Sequence, residues 1–102
     1  MSRLLIDPDA EADLREICNW YESQRDGLSG DFLREIDRTL RRIEELPQPF
    51  PKIRREARRA LVNRFPYLIL FIESEDRLGV VGVFDTSRNP RHWLRRARRH
   101  GQ

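Results

Sequence analysis

"RRALVNRFPYLILFIESEDRLGVVGVF" occupies residues 58–84 and contains three apolar runs separated by turn signals. Residues 58–65 predict a half-exposed strand, because successive side chains of a strand point to opposite faces. One face would carry Arg59, Leu61, Asn63 and Phe65, and the other Arg58, Ala60, Val62 and Arg64. Residues 67–73 are apolar on both faces, as expected of the central strand of a sheet. Pro66 and the residues SEDR supply two turns, and residues 78–84 form a third apolar run. The stretch therefore predicts three sequential antiparallel strands.

The segment that precedes this stretch begins with a short predicted strand and a helix. The letters RLLID form the strand, and DPD ends it. Asp7 is placed to accept a hydrogen bond from a free amide of the first helical turn, and Pro8 suits the first helical position. Apolar residues then recur at helical spacing, so we predict a helix over residues 8–25. Its apolar stripe comprises Ala10, Leu14, Ile17 and Tyr21.

A second helix is predicted after the break RDGLSGDF. Ser29 is the predicted N-cap, with Leu28 and Leu33 at the positions of a hydrophobic staple. Pro47 ends this helix after Leu46. Its predicted buried stripe comprises Phe32, Ile36, Leu40 and Ile43.

The fold class predicted from this order is α+β, with a helix hairpin packed on one face of a small antiparallel sheet. The order is β-α-α-β-β-β, and the proline-rich PQPFPK between the halves is predicted to be an extended loop. The C-terminal PRHWLRRARRHGQ is basic and is predicted to be a short helix or a tail. At 102 residues, we expect residues 1–102 to form a single domain.

The net charge of +3 is divided unevenly along the chain. Residues 1–51 carry seven Arg and twelve Asp or Glu, a net of −5, whereas residues 52–102 carry thirteen Arg or Lys and five acids, a net of +8. Positive charge clustered in this way favours a polyanion or an acidic protein segment as the partner.

Several classes of protein are disfavoured by what the sequence lacks. Cys18 is the only cysteine, so we expect no internal disulfide, which fits a protein of the reducing cytoplasm. We expect the Cys18 thiol to be a small buried side chain. The start MSRLLIDPD has no apolar core of signal-peptide length, and no stretch approaches transmembrane length, so we expect no membrane association. There is no phosphate loop, GxSxG or HExxH motif, and we expect no metal and no cofactor.

The segment VFDTSRNPRHW, residues 83–93, ends the last apolar strand in a polar, basic corner. Arginines from the sheet and from this corner could approach the same end of the sheet and hold phosphates. His92 would then be the group able to transfer a proton from the 2′-OH of RNA. This candidate cluster consists of Arg54, Arg55, Arg59, Arg88 and His92.

A purely structural role for the same corner is the alternative. Arg88 would cap carbonyl groups at the strand end or pair with Asp85, and His92 would be an exposed residue at a helix start. Trp20 and Trp93 could stack on nucleic-acid bases, but a tryptophan beside a small sheet more often fills the core, and we predict the core position for both.

Three segments together resemble the toxins of the ParE/RelE superfamily, which belong to bacterial type II toxin–antitoxin modules. The segments are ADLREICNWYESQRDGLSGDFLREID, PQPFPKIRREARRALVNRFPYLILF and VVGVFDTSRNPRHW, and the resemblance runs from about Leu5 to Arg95. It implies two helices packed on an antiparallel sheet, in a cytoplasmic protein that blocks growth unless a cognate antitoxin binds it in a hetero-oligomer. Antitoxin tails of this superfamily fold on binding and lay apolar and acidic residues over the toxin.

RelE-like members of the superfamily cleave messenger RNA on the ribosome, with basic residues on the sheet and a proton-transferring group after the last strand. By position, Arg59 and Arg88 match two of the basic residues. Leu68 stands where those nucleases have an arginine, and Trp93 or Leu94 stands near their terminal tyrosine.

ParE-like members instead bind DNA gyrase and trap it on cleaved DNA, without chemistry of their own. The segments RFPYLILF and SRNPRHW resemble that branch more closely. Asp85 stands where relatives often have a histidine in an HxxRxP pattern. A relative that only binds an antitoxin is a third alternative.

The sequence is therefore interpreted as a ParE-like toxin that binds gyrase and is not an enzyme. The runner-up is a ribosome-dependent mRNA endonuclease that uses Arg59, Arg88 and His92. The residues predicted to bind the target or the antitoxin are Arg54, Arg55, Arg59, Arg88, Arg91, Trp93, Arg95 and Arg96.

Overall fold

A computed structural model describes residues 3–102 as a five-stranded sheet with helices on both faces. The strands lie in the order β1-β5-β4-β3-β2. The elements are β1 Leu4–Ile6, α1 Pro8–Gln24, α2 Leu28–Glu45, β2 Lys52–Arg54, β3 Ala57–Leu61, β4 Tyr67–Ser74, β5 Arg77–Asp85 and α3 Arg91–Arg99.

The predicted three-strand meander is confirmed as β3, β4 and β5, which pair antiparallel in sequence order. The sheet as a whole is mixed, because β1 lies parallel to β5 at one edge, with Leu5 in register with Gly79. The predicted α+β class, with a helix hairpin on a small and mostly antiparallel sheet, is confirmed. The direction of β1 was not predicted, since three residues carry no sequence signal for the direction of their partner. Lys52 begins a further short strand, β2, which pairs with β3 at the other edge.

The first meander strand is shorter than the predicted residues 58–65. It ends at Leu61, and the turn that follows includes Arg64 with a φ of 69°. The amide of Val62 donates to the carbonyl oxygen of Tyr67 at 2.9 Å. The predicted strand therefore included residues 62–65, which lie outside β3 in the structure.

The start of α1 follows the prediction. The Asp7 carboxylate accepts a hydrogen bond from the Asp9 amide at 2.9 Å, and Pro8 occupies the first helical position. The helix ends at Gln24, one residue before the predicted boundary.

The start of α2 differs from the prediction. The N-cap is Gly27, in the left-handed region with a φ of 85°, and Ser29 lies inside the helix. Glu22 of α1 takes the role predicted for Ser29, because its carboxylate accepts from the amides of Gly27 and Ser29 at 2.9 and 3.2 Å. The Ser29 hydroxyl also donates to Glu22 at 2.6 Å. The proposed staple of Leu28 with Leu33 assumed the wrong cap, and Leu33 is exposed.

Buried side chains form two cores, one on each face of the sheet. The helix hairpin covers the larger core, in which Phe32, Ile43 and Phe71 are fully buried. The opposite face is covered by α3, so the basic C-terminal segment is a helix. The buried residues of this second core are Ala57, Leu68, Leu70, Val81 and Ala97, with Ile53, Ile72, Phe84 and Trp93 packed against them.

The central strand β4 contributes to both cores, as its uninterrupted apolar sequence predicted. Ile69 and Phe71 face the helix hairpin, and Leu68 and Leu70 face α3. Each of these four side chains is fully buried.

The two tryptophans have different environments. Trp93 of α3 packs against the second core, as predicted. Trp20 is 56% exposed, so its predicted core position was wrong. The buried position on this part of α1 is taken by the next residue, Tyr21, whose ring lies 5.1 Å from that of Trp20. Cys18 is partly buried against the larger core, and burial raises the pKa of its thiol.

A bulge interrupts β5 where α3 crosses it. Leu70 of β4 lies opposite Gly82, whereas the next residue, Phe71, lies opposite Val80. Val81 is therefore the extra residue of β5. Its carbonyl oxygen is available to accept a hydrogen bond from α3.

Candidate functional site

A cleft of ≈ 600 Å³ opens at the corner where α1, the start of β4 and the end of β5 meet. Tyr21, Tyr67 and Phe84 contribute aromatic surface to it, and the exposed indole of Trp20 stands beside them. The acidic and basic residues that line the cleft are Asp13 and Glu16 from α1 and Asp85 and Arg88 from the predicted corner, and the imidazole of His92 lies beside them.

The tyrosines of the cleft remain neutral over the physiological range. Burial, together with the neighbouring Tyr67, raises the pKa of Tyr21 to about 12. Burial and the Asp85 carboxylate also raise the pKa of Tyr67. Neither phenol is therefore suited to proton transfer at neutral pH, and the two rings act as apolar and hydrogen-bonding surface.

Asp85 is held by the turn that follows β5. Its carboxylate accepts hydrogen bonds from the Ser87 amide at 2.8 Å and the Ser87 hydroxyl at 2.7 Å. These bonds, assisted by the charge of Arg88, lower the pKa of Asp85. The predicted Asp85–Arg88 ion pair is not among the ion pairs of residues 3–102. The hydrogen bond between these two residues runs from the Arg88 amide to the Asp85 carbonyl oxygen, at 3.2 Å.

The Arg88 side chain is exposed at the cleft. Arg88 and His92 are exposed and both line the cleft. Neither side chain makes an ion pair with another of the described residues. This half of the predicted cluster is brought together by the fold.

Arg54 and Arg55 lie at the other end of the sheet, which contradicts the expectation that they approach Arg88. Arg54 ends β2 opposite Ala57, which in turn lies opposite Ile72 of β4, and Arg55 follows in the turn to β3. Arg88, in contrast, follows the end of β5 that lies opposite Tyr67. Along β4 these two registers are roughly 16 Å apart, at about 3.3 Å per residue. The error arose because β2 was predicted as loop, so that its direction was not fixed.

Arg59 lies between these two ends and on the face of the sheet that α3 covers. It is half-buried and lies opposite Leu70 in β4. Leu68, at the position where the RelE-like nucleases have an arginine, is fully buried in the second core beside Trp93. This face of the central strand is therefore apolar and covered.

Arg96 was predicted to bind a partner, but it is engaged within the fold. Its guanidinium makes two contacts with the Asp13 carboxylate, at 2.9 and 3.2 Å, and donates to the Val81 carbonyl oxygen at 2.8 Å. It also lies 4.9 Å from the centre of the Phe84 ring. Because the side chains of Arg96 and Asp13 are only 15% and 18% exposed, this contact serves to hold α3 on the sheet.

Arg91 and Arg95 are exposed on α3, as their predicted role requires. Arg98, which the sequence did not single out, is exposed on the same helix. Glu16 was also missed, and Trp20 was assigned to the core, although both line the cleft. Trp20 lies beside the apolar stripe of α1 in the sequence, which is the one signal that would have placed it at the surface.

The start of α1 and the C-terminal end of α3 are joined by a cluster of acidic and basic side chains. The Asp9 carboxylate accepts from Arg99 at 2.8 Å and lies 3.2 Å from Nε2 of His100. Ligand atoms of Asp7, Asp9 and His100 all lie within 4.8 Å of one another, a spacing that could suit a cation. Arg99 and the positive end of α1 already balance these carboxylates, so the cluster is better explained as a clamp on α3.

No helix among residues 3–102 combines the length and the apolar composition that crossing a membrane would need.

Comparison with known proteins gives one family and one fold. The family model described as "ParE toxin of type II toxin-antitoxin system, parDE" matches residues 4–90. Among solved structures, the chain is similar to one described as the chromosomal ParDE TA system from P. aeruginosa, with a TM-score of 0.75 and 15% sequence identity over 85% of this chain and 98% of that chain. No curated protein sequence matches the chain.

Proposed function

Because this chain belongs to the ParE toxin family of type II toxin–antitoxin systems, we propose that it blocks growth by binding DNA gyrase in the bacterial cytoplasm. It performs no chemistry of its own, and a cognate antitoxin neutralises it by covering its binding surface in a toxin–antitoxin complex.

The observation that carries this proposal is the burial, under α3, of the sheet face that RelE-like nucleases use for RNA. In this chain Leu68 is fully buried there, and α3 lies over it through Trp93 and Ala97. A nuclease needs its cations and its proton-transferring group around one phosphate. Arg59 sits beside the covered core, whereas Arg88 and His92 line the corner cleft. Binding is therefore favoured over RNA cleavage.

The corner cleft is the proposed docking point for protein. Its aromatic surface includes the exposed Trp20, and aromatic side chains are enriched at the centres of protein interfaces. The exposed Arg88 guanidinium and the His92 imidazole stand at the same cleft. An apolar side chain followed by a carboxylate would satisfy both features, and it is the kind of segment that antitoxin tails of this superfamily provide.

The proposal is tested by inducing the protein in cells that lack the antitoxin. We expect gyrase-dependent DNA breaks and loss of supercoiling, with translated messages intact. Arg88→Ala should reduce the growth defect, and Arg59→Ala should leave it unchanged. Arg41→Ala, which removes an exposed arginine paired with Asp37 on α2, is the control for loss of one charge.

Two results would contradict the proposal. Message cleavage at the ribosome that disappears in Arg59→Ala and in Arg88→Ala would make those arginines catalytic and the chain a nuclease. Normal growth, with the protein present at full length and bound by its antitoxin when the two are expressed together, would leave only the antitoxin-binding role.

A further inference from the structure

The exposed face of α3 carries a row of three arginines. Trp93, Ala97 and the partly buried Arg96 turn toward the sheet, so the opposite side of the helix faces solvent. Residues that are three or four positions apart lie on the same side of a helix. Four positions correspond to about 6 Å along the helix axis and three positions to about 4.5 Å. The row consists of Arg91, Arg95 and Arg98, all exposed.

No carboxylate balances this row. Residues 86–102 contain no Asp or Glu. The carboxylates that reach α3 from α1 are already engaged, since Asp13 is bound by Arg96 and Asp9 by Arg99. Arg91, Arg95 and Arg98 make no ion pair with any of residues 3–102. The three like charges therefore repel one another, and binding of an anion from outside the chain would reduce this repulsion.

The chemistry of the row favours nucleic acid over protein. The centre of a protein interface is depleted of charge and rich in aromatic or apolar side chains. The exposed large apolar residues of this chain lie on other elements, and α3 contributes none. Duplex DNA presents a dense row of phosphates, and interfaces that bind it are polar and positively charged.

We propose that the row Arg91, Arg95 and Arg98 binds the phosphate backbone of duplex DNA without reading its sequence. This inference goes beyond the proposed function, because a toxin can bind gyrase without touching DNA itself. Direct contact with DNA would hold the protein close to an enzyme that works on DNA.

The test is a titration of short duplex DNA with the purified full-length chain, followed by fluorescence anisotropy at several salt concentrations. Three phosphate contacts predict a slope of log K against log salt of about −2.7, at about −0.9 per neutralised phosphate. Alanine at Arg91, Arg95 or Arg98 should make the slope less negative by about 0.9 each. Lysine at the same positions should preserve the slope, because a phosphate accepts either cation.

Arg15→Ala is the matched control. Arg15 is an exposed helical arginine of α1, on the helix hairpin that packs on the opposite face of the sheet, and it makes no ion pair with the described residues. Its replacement removes the same charge and should leave the slope unchanged. Circular dichroism of each variant establishes that the fold is retained.

Three outcomes would overturn the proposal: no DNA binding at low salt, an effect of Arg15→Ala equal to that of the α3 variants, or tighter binding of a poly-glutamate peptide than of DNA at equal charge. The last outcome would assign the row to an acidic protein segment.

Discussion

Arg96 of α3 and Asp13 of α1 form a two-point ion pair that joins elements on opposite faces of the sheet. The same Asp13 carboxylate accepts a hydrogen bond from the Val83 amide at 2.9 Å. One carboxylate thus fixes the C-terminal helix, the first helix and the end of β5, at the cleft that we propose as the docking point. The pair sets the position of α3 relative to that cleft.

Breaking this pair should destabilise the fold. Asp13→Ala leaves a mostly buried guanidinium without its partner, and we expect the free energy of unfolding to fall by about 2 kcal/mol. Urea denaturation measures the change. Arg41→Ala, which breaks the exposed pair with Asp37, should cost less than about 1 kcal/mol. Equal losses in the two variants would show that the Arg96 contact is no stronger than a surface pair.

Gly82 provides the space in which the Arg96 contact is made. A Cβ atom at this position would lie 2.4 Å from the Phe84 ring and 3.1 Å from Nη1 of Arg96. We expect Gly82→Ala to lower the free energy of unfolding by about 1–3 kcal/mol, because the ring and the guanidinium must both move. Gly79→Ala is the control, since its closest neighbour would be 3.9 Å away. A stability of Gly82→Ala equal to that of Gly79→Ala would contradict this packing.

The clamp at Asp9 should weaken in acid. The hydrogen bond from His100 and the charge of Arg99 lower the pKa of Asp9 below its usual 3.8. The unfolded chain then binds the proton more readily than the folded chain, so this stabilisation is complete above the unfolded pKa and is lost as the pH falls through the folded one. Asp9→Asn should therefore reduce the loss of thermal stability in acid, below about pH 4. An unchanged acid profile in Asp9→Asn would contradict the clamp.

Glu22 should be needed for the junction between α1 and α2, where it replaces the predicted Ser29 cap. Glu22→Gln keeps an acceptor but loses the charge, whereas Glu22→Ala leaves the amides of Gly27 and Ser29 without a partner. We expect the melting temperature to fall in the order wild type, Glu22→Gln, Glu22→Ala. Ser29→Ala, which keeps both amide bonds, should lower it less than Glu22→Ala does. The reverse order would restore Ser29 as the main cap.

Trp20 should contribute to partner binding and little to stability. It is 56% exposed, so Trp20→Ala should change the free energy of unfolding by less than about 1 kcal/mol. Loss of an aromatic anchor from the centre of an interface typically costs about 2 kcal/mol or more in binding. Calorimetric titration with the cognate antitoxin measures the change, and an unaltered affinity would exclude the cleft from the interface.

The sequence predicted those elements in which local pattern and long-range packing agree. The uninterrupted apolar run of β4 requires cover on both faces, and both cores supply it. Asp7 and Pro8 encode the start of α1 in adjacent residues. The start of α2 was missed because its cap, Glu22, lies on another helix and no local motif reports such a contact.

The candidate site was predicted only where the chain itself brings residues together. Arg88 and His92 are four residues apart and share the cleft. Arg54 was misplaced because its position depends on the pairing of β2, a three-residue strand beside a proline-rich segment. Arg96 was assigned to binding because a sequence does not show that Asp13, 83 residues away, neutralises it.

The proposed inhibition of gyrase by direct binding is tested by a supercoiling and cleavage assay with purified gyrase, plasmid DNA and the purified chain. We predict loss of supercoiling and accumulation of gyrase-cleaved DNA, both abolished when the antitoxin is added first. A parallel translation reaction should show intact messages. Normal supercoiling at a toxin concentration that leads to message cleavage on the ribosome would contradict the claim.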